Sequence, residues 1–269
     1  MKKFKPFLFL VFIFLSGAAN AQNDPGENRT LIRVLSYNIL HGATTNNDND
    51  LDVVARAIEN ADPDIAALQE MDYRTNRANH LDVSAEIAKR TEMVSIFAKA
   101  VDWDGGEYGQ ALLSKYTFLK TGKIELPTHK GNEQRIAIKS LMILPAGDTI
   151  RFVGIHLDHQ KDGAERIEQA EELNRRFLND TIPTILAGDL NDIPGSDTIK
   201  ILEAHWGSSY DPKDPQPTFP SHAPRKKIDY IMFYPKNRWK VVEKEVLCDK
   251  VASDHCAVLV VLELLPKQK

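Results

Sequence analysis

Apolar positions along this chain follow two rhythms, and nearly every short apolar run ends in polar residues. Alternation over a few residues marks strands, and recurrence every three to four positions marks helices. Leu31 to Leu40 alternates as a strand and ends in Ser36-Tyr37-Asn38-Ile39-Leu40-His41-Gly42. Leu51 to Asn60 puts Leu51, Val54, Ala55 and Ile58 on one stripe, a helix that Pro63 stops. Asp64 to Leu68 is a short strand handing over to Gln69-Glu70. A second helix is predicted over Val83 to Arg90, and a strand over Val94 to Phe97. Ala111 to Leu113 and Phe118 to Leu126 read as two strands paired with each other. Gln134 to Ile143 and Thr149 to Leu157 alternate on either side of Pro145, Gly147 and Asp148, a hairpin signal. Asp162 to Phe177 is the most regular amphipathic helix, with Asp162 as its cap and Ala164, Ile167, Ala170, Leu173 and Phe177 as its stripe. A helix over Ser196 to Ala204 follows, then strands over Ile228 to Phe233, Val241 to Leu247 and Cys256 to Leu264.

Between the last two helices lies the sharpest break, Ile182 to Asp192. Ile185, Leu186 and Ala187 form a buried strand, Gly188 interrupts it, and Asp189, Asn191 and Asp192 follow at once. Taken alone, aspartate and asparagine at such a break make the turn, because both hydrogen-bond their own backbone there. Residues 43–50 are an Asn/Asp/Thr-rich surface loop, and residues 207–224, with five prolines, are a long one. Val101 to Gly109 reads as a tight loop whose acids argue against a phosphate cradle.

The first residues change the picture. Lys2, Lys3 and Lys5 precede the apolar run Phe7 to Leu15, and Ala19-Asn20-Ala21 supplies a cleavage site before Gln22. That predicts a secretory signal peptide over 1–21, a flexible leader over 22–30 and a single domain over 31–265. Export across the inner membrane, to the periplasm or beyond it, is the expected destination, and no later segment is long and apolar enough to span a bilayer. The chain has 34 basic and 38 acidic residues, and three of the basic ones sit in the signal peptide. An acidic balance weighs against tight, non-specific binding of long DNA. Cys248 and Cys256 are the only cysteines, an even count that permits a disulfide in a secreted chain, with two buried free thiols the favoured alternative.

Seven strand ends or edges thus carry Asn38, Glu70, Arg135, His156, Asp189 with Asn191, Asp229, and Asp254 with His255. Loops at sheet ends are where sites assemble on a rigid scaffold. In order, Ser36-Tyr37-Asn38, Leu68-Gln69-Glu70, Gly188-Asp189-Leu190-Asn191, Ile228-Asp229-Tyr230 and Ser253-Asp254-His255 resemble the motifs of the endonuclease/exonuclease/phosphatase superfamily, its deoxyribonuclease-like secreted bacterial members included. The resemblance spans roughly residues 31–264 and does not specify a substrate. It implies an α/β fold, a four-layer α-β-β-α sandwich of two packed mixed β-sheets with outer helices. It implies a divalent-metal phosphohydrolase using Mg2+, with Mn2+ or Ca2+ as alternatives, and acting on a phosphate ester of a small molecule, a lipid headgroup or a nucleic acid.

The same resemblance implies roles for individual residues. Glu70, Asn38 and Asp254 would hold metal through oxygen, as magnesium prefers. Asp189 would align or deprotonate the attacking water, with Asn191 on the phosphate. His255, oriented by Asp229, would stand as imidazolium near phosphate, and His156 would donate to phosphate or the leaving oxygen. Arg135 would supply a bidentate phosphate contact, and Tyr108, with His41, Arg74, Arg77, Asp158 and His159, would line the substrate pocket. Two positions depart from the pattern: His156 stands where apurinic endonucleases carry tyrosine, and Lys227 where an arginine often precedes Ile-Asp-Tyr. A lipid substrate would call for an exposed apolar or aromatic hairpin, and none stands out in the sequence. The rival reading is a secreted binding module that kept the fold and lost the chemistry, which requires at least one missing catalytic group.

Overall fold

A computed structural model describes residues 29–267. The signal peptide expected over 1–21 and most of the leader lie outside the described residues. Arg29 and Thr30, assigned to that leader, belong to the folded part, since Arg29 Nε donates to Glu263 Oε1 at 2.8 Å and Thr30 begins a strand.

The first sheet is built from β1 (Thr30–Asn38), β2 (Ile65–Tyr73), β3 (Val94–Trp103), β4 (Gly106–Ser114), β11 (Trp239–Leu247) and β12 (Ala257–Leu264), in the order β11-β12-β1-β2-β4-β3. The second holds β5 (Phe118–Glu125), β6 (Ile136–Ile143), β7 (Thr149–His156), β8 (Thr184–Asp189), β9 (Gly207–Ser208) and β10 (Asp229–Tyr234), in the order β5-β6-β7-β8-β10-β9. Both are mixed, because β1–β2 and β7–β8 are parallel while the other pairs are antiparallel. Helices α1 (Leu51–Ala61) and α2 (Val83–Arg90) cover the first sheet, and α3 (Ala164–Phe177) and α4 (Asp197–Glu203) the second. The result is the expected four-layer sandwich. No helix among the described residues is long and apolar enough to cross a membrane.

Three apolar layers follow from strand alternation. Ile32 and Val34 of β1, Ile65 and Ala67 of β2, Phe152 of β7, Ile185 and Ala187 of β8 and Ile231 and Phe233 of β10 pack between the sheets. The opposite faces pack outward on the helices: Leu35 and Leu68 against Val54, Ile58 and Ile87 on one side, Val153 and Leu186 against Leu173, Phe177 and Ile199 on the other. A strand buried on both faces reads as a continuous apolar run, which is why Ile185-Leu186-Ala187 lacks alternation. Continuing the inward face by two residues on β8 gives Asp189, and by four on β1 and β7 gives Asn38 and His156, while the inward face of β10 begins at Asp229. One end of the seam between the sheets is therefore polar.

Several elements differ from their sequence reading. Asp162 accepts from Ala164 N at 3.3 Å, but α3 starts one residue later than expected because Gly163, in the left-handed region at φ 73°, makes the junction. The segments around Ala111 and Phe118 are strands but not partners: β4 lies between β2 and β3, while β5 pairs with β6 in the other sheet. Local pattern reports a strand, and the partner is a long-range choice. Residues 101–109 are not a loop but the turn of the β3–β4 hairpin, in which Trp103 faces Gly106 across Asp104-Gly105. Both turn residues have positive φ, 46° and 77°, which is the Asp-Gly hairpin signal the acids had obscured. Finally, β2 continues past Leu68 to Tyr73, with an irregularity between Leu68 and Met71 that leaves Glu70 at φ 58°.

Gly188 is required by the parallel pairing of β7 and β8. A Cβ there would sit 1.9 Å from the Ile155 carbonyl oxygen. Gly188→Ala is expected to lower stability by at least about 1–3 kcal/mol in urea unfolding, the usual range for overpacking. An unchanged midpoint would mean that the two strands stand further apart than described.

Candidate active site

Three strand registers create the polar end of the seam. His156 pairs with Asp189 across β7–β8, and Asp189 pairs with Asp229 across β8–β10, so three ionisable groups stand in one row. All three are buried. From the other sheet, Asn38 reaches across: its Nδ2 donates to Glu70 Oε1 at 2.9 Å and to Asp189 Oδ2 at 3.3 Å.

Asp189 is the hub. The backbone N–H of Asn191 donates to its Oδ1 at 2.8 Å. Its Oδ2 lies 3.6 Å from His156 Nε2 and 3.8 Å from His255 Nε2. Burial, then the charge of Asp229, push its carboxyl up to about 7. Asn191 holds this geometry from a left-handed backbone, φ 51°, while its Nδ2 donates to the Leu157 carbonyl at 3.0 Å. Non-glycine residues in that region cost of order 1–3 kcal/mol each and persist where surrounding bonds over-determine them.

The two histidines sit in opposite protonation environments. His255 Nδ1 donates to the Asp229 carboxylate at 3.1 Å, and Phe219 lies over its ring at 4.7 Å. Burial opposes its charge, but Asp229, and then Asp189 and Asp254, hold the imidazole up at about 10. His156 Nδ1 receives Arg135 Nη1 at 3.2 Å. A guanidinium has no acceptor, so that nitrogen must be the bare one and the proton must sit on Nε2, facing Asp189. Burial, and then the charge of Arg135, depress His156 well below its ordinary value. It is a neutral donor aimed at the same carboxylate oxygen.

Arg135, expected as a phosphate contact, is buried and turned toward its neighbours. Nη1 faces His156 and Glu133, and Nη2 donates to His159 Nδ1 at 3.0 Å. Glu70 is more accessible and sits at the left-handed irregularity of β2. Burial alone would raise its carboxyl, but His41, whose Nδ1 lies 3.9 Å away, and the Asn38 amide hold it down at about 2. Asp254 is half-buried, and its carboxyl is raised by burial and by the charge of Glu70, against the pull of His255. Tyr108, on β4 opposite Asp72, is pushed up by burial and by Glu70 and stays a neutral hydroxyl. Of the other flanking residues, Asp158 is buried beside Arg166, and Arg74 lies exposed over the Tyr73 ring, 5.2 Å away.

Among the described residues, one group of three carboxylate or imidazole ligand atoms lies within 4.8 Å: Asp189, Asp229 and His255. Its chemistry is that of a proton-bearing relay, because Asp229 is spent on His255 Nδ1 and the imidazole is held protonated. Glu70 and Asp254 fit a hard cation better: they offer only oxygen, the Glu70 carboxylate stays ionised, and the two act on each other at the edge of the row. Asn38 turns its Nδ2 to Glu70 and its Oδ1 to the Leu40 N–H at 3.2 Å, so it would join them as a ligand only by turning its amide oxygen toward the ion.

The 207–224 segment supplies residues that the sequence reading missed. Thr218 Oγ1 accepts from Asp229 N at 3.3 Å, and Ser221 N donates to the Asp254 carbonyl at 2.6 Å. Ser253 Oγ donates to the Asn38 carbonyl at 2.7 Å and ties the loop before β12 to the end of β1 in the first sheet. Prolines at close spacing marked this as loop; nothing local marked Thr218 and Ser221 as buried. Cys248 and Cys256 form a disulfide across the ends of β11 and β12, closing the loop that carries Asp254 and His255.

Comparisons with known proteins agree with the fold. The profile of the Endonuclease/Exonuclease/phosphatase family matches residues 35–255. No curated protein matches the chain. An endonuclease/exonuclease/phosphatase family protein from Bacteroides thetaiotaomicron superposes with a TM-score of 0.71 at 19% identity, covering 88% of this chain and 99% of that one. The mannosyl-6-phosphatase of the same organism gives 0.67 at 20% identity, with 86% and 99% covered. The human Nocturnin catalytic domain with bound sulfate gives 0.69 at 20% identity, with 88% and 97% covered.

Two measurements test this arrangement. In chelator-treated protein, the His255 imidazole should titrate near 10 by NMR and fall back toward or below its ordinary value in Asp229→Asn, while His156 stays neutral across the accessible range. The sign is that of a raised base: the pair contributes stability fully below about 6.5 and loses it as pH climbs through about 10. Separately, reducing the Cys248–Cys256 disulfide should cost about 2–3 kcal/mol of stability for so short a loop, read as a drop in thermal midpoint.

Proposed function

The chain belongs to the endonuclease/exonuclease/phosphatase family, and on that footing we propose that it is a secreted, divalent-metal-dependent phosphohydrolase that cleaves phosphate esters by direct attack of water. The observation that carries this reading is the convergence of Asn38 Nδ2, His156 Nε2 and His255 Nε2 on one oxygen of Asp189. A buried carboxylate raised to about 7 is a base poised near neutrality, and the groups around it are the donors a phosphoryl transfer needs.

Glu70, Asn38 and Asp254 would hold the metal, taken here as Mg2+. When bound, the ion neutralises phosphoryl charge and lowers the barrier to attack by oxygen. The chain's own residues do the rest. Asp189 orients the water and accepts its proton at Oδ2, with Oδ1 pinned by Asn191 N–H. His255, cationic on Asp229, faces the phosphate with a full positive charge and can return a proton to the leaving oxygen. His156, locked as the Nε2–H tautomer by Arg135, adds a neutral hydrogen bond to a phosphoryl oxygen. Arg135 thus acts by positioning His156, in place of the direct phosphate contact expected from sequence. Asn191 acts first through its backbone on Asp189; its side chain is the lesser candidate for a phosphate contact.

Secretion rests on the leader pattern over 1–21, and the disulfide suits an oxidising compartment. The acid excess favours a small ester over a long nucleic acid. A mannosyl-6-phosphatase among the fold neighbours supports the same direction. The silent-module reading needs a missing group, and every expected acid, amide and imidazole is present in the sequence.

Hydrolysis of bis-p-nitrophenyl phosphate with Mg2+ tests the mechanism. Asp189→Ala and His255→Ala should each lower kcat by about 10²–10⁴-fold, the range of general acid–base groups, and chelator should abolish the parent rate. Equal rates in all three proteins would sink the assignment of Asp189 and His255.

A further inference from the structure

The β3–β4 hairpin carries an exposed tryptophan at the rim of the site. Trp103 is 51% exposed, whereas Trp206 and Trp239 are buried. Its hairpin is not free to move. Asp104 Oδ2 accepts from Arg77 N at 2.8 Å and Asp104 Oδ1 from Asn76 Nδ2 at 3.2 Å. A Cβ at Gly106 would sit 2.4 Å from the Tyr73 carbonyl oxygen, so the turn is packed directly on the end of β2.

Arg77 links this tip to the reacting centre. Nε and Nη2 donate to the two oxygens of buried Asp72 at 2.7 and 2.8 Å, a two-pronged pair that fixes the guanidinium plane. That plane lies 5.9 Å from the Trp103 ring centre and 5.8 Å from the Tyr108 ring centre. Asp72 and Tyr108 are cross-strand partners two residues beyond Glu70. A continuous wall therefore runs outward from Glu70 through Tyr108 and Arg77 to Trp103.

We propose that this wall is the subsite for the sugar ring of a phosphorylated monosaccharide, with Trp103 stacking on the ring's C–H face. The proposal rests on the phosphohydrolase reading and names its substrate class. An exposed indole gains from being covered by an apolar face, and a pyranose offers one. Hydroxyl groups suit the surroundings: Asp104 accepts, and Asn76 and the Arg77 Nη1, which makes no hydrogen bond among the described residues, donate, while Asp102 lies on the opposite face of the hairpin with Lys99. Asp104, beside the indole, opposes a second phosphate at the tip of the wall, which disfavours a polynucleotide or a polyphosphorylated ring there. The acids of the hairpin, Asp102, Asp104 and Glu107 against Lys99, also oppose its insertion into an anionic membrane, although Trp103 is the exposed aromatic that the sequence did not single out.

Binding is read without turnover by intrinsic fluorescence in the Asp189→Asn protein with Mg2+, since Trp103 is the only solvent-facing indole among the described residues. Mannose 6-phosphate and glucose 6-phosphate should give a saturable change, and inorganic phosphate should give none. Trp103→Phe should keep most of the affinity, and Trp103→Ala should weaken it by about five- to tenfold, followed by calorimetry because the fluorophore is lost. Equal affinity in Trp103→Ala and its parent would overturn the proposal. So would a saturable change with inorganic phosphate alone, or Trp103-dependent binding of adenosine monophosphate tighter than that of either sugar phosphate. Trp103-dependent binding in a protein that hydrolyses no phosphate ester would instead overturn the phosphohydrolase reading and leave the subsite standing.

Discussion

The structure depends on strand register. Three pairings, β7 with β8, β8 with β10 and β1 with β2, set His156, Asp189, Asp229 and Asn38 on the inner faces of two packed sheets. Register in a sheet buried on both faces is strongly held, because a slip of one residue would move every inward apolar side chain outward. Phe152, Ile185, Ala187 and Ile231 thereby hold the polar row in place. The apolar seam and the polar end are one continuous pattern, and the site is as rigid as the core beneath it.

Burying four ionisable groups together is costly unless each is paired. Here pairing also divides their duties. Asp229 makes His255 a cation and Arg135 makes His156 neutral, though both imidazoles point Nε2 at the same oxygen. The difference comes from what sits behind each Nδ1, a carboxylate in one case and a guanidinium in the other. Asp189, between them, is raised by burial and by Asp229, so a single neighbour tunes both an acid and a base.

Left-handed backbone also occurs at the site, at Glu70, His41 and Asn191. Glu70 is turned out by the irregularity in β2, and Asn191 is fixed through Leu157 and Asp189. The loop carrying Asp254 and His255 is closed by the disulfide, propped by Ser221 and tied to β1 through Ser253. Precision at the site is supplied by these supports as much as by the groups that would react.

Much of this was legible in sequence. The helices over Leu51 to Ala61 and Val83 to Arg90 follow from their apolar stripes, and the ordered strand-end motifs pointed to the residues that meet at Asp189. Periodicity and turn chemistry are local, so a chain read in order reveals them. Partners are not local. Which sheet would take the Phe118 strand, whether the Pro-rich segment would bury Thr218 and Ser221, and whether Cys248 would reach Cys256 depended on packing across the whole chain. Arg135 shows the limit most clearly. Its type and position suggested phosphate, yet only the folded geometry turns its guanidinium onto His156, because a charge's partner is set by distance in space, which residue order does not encode.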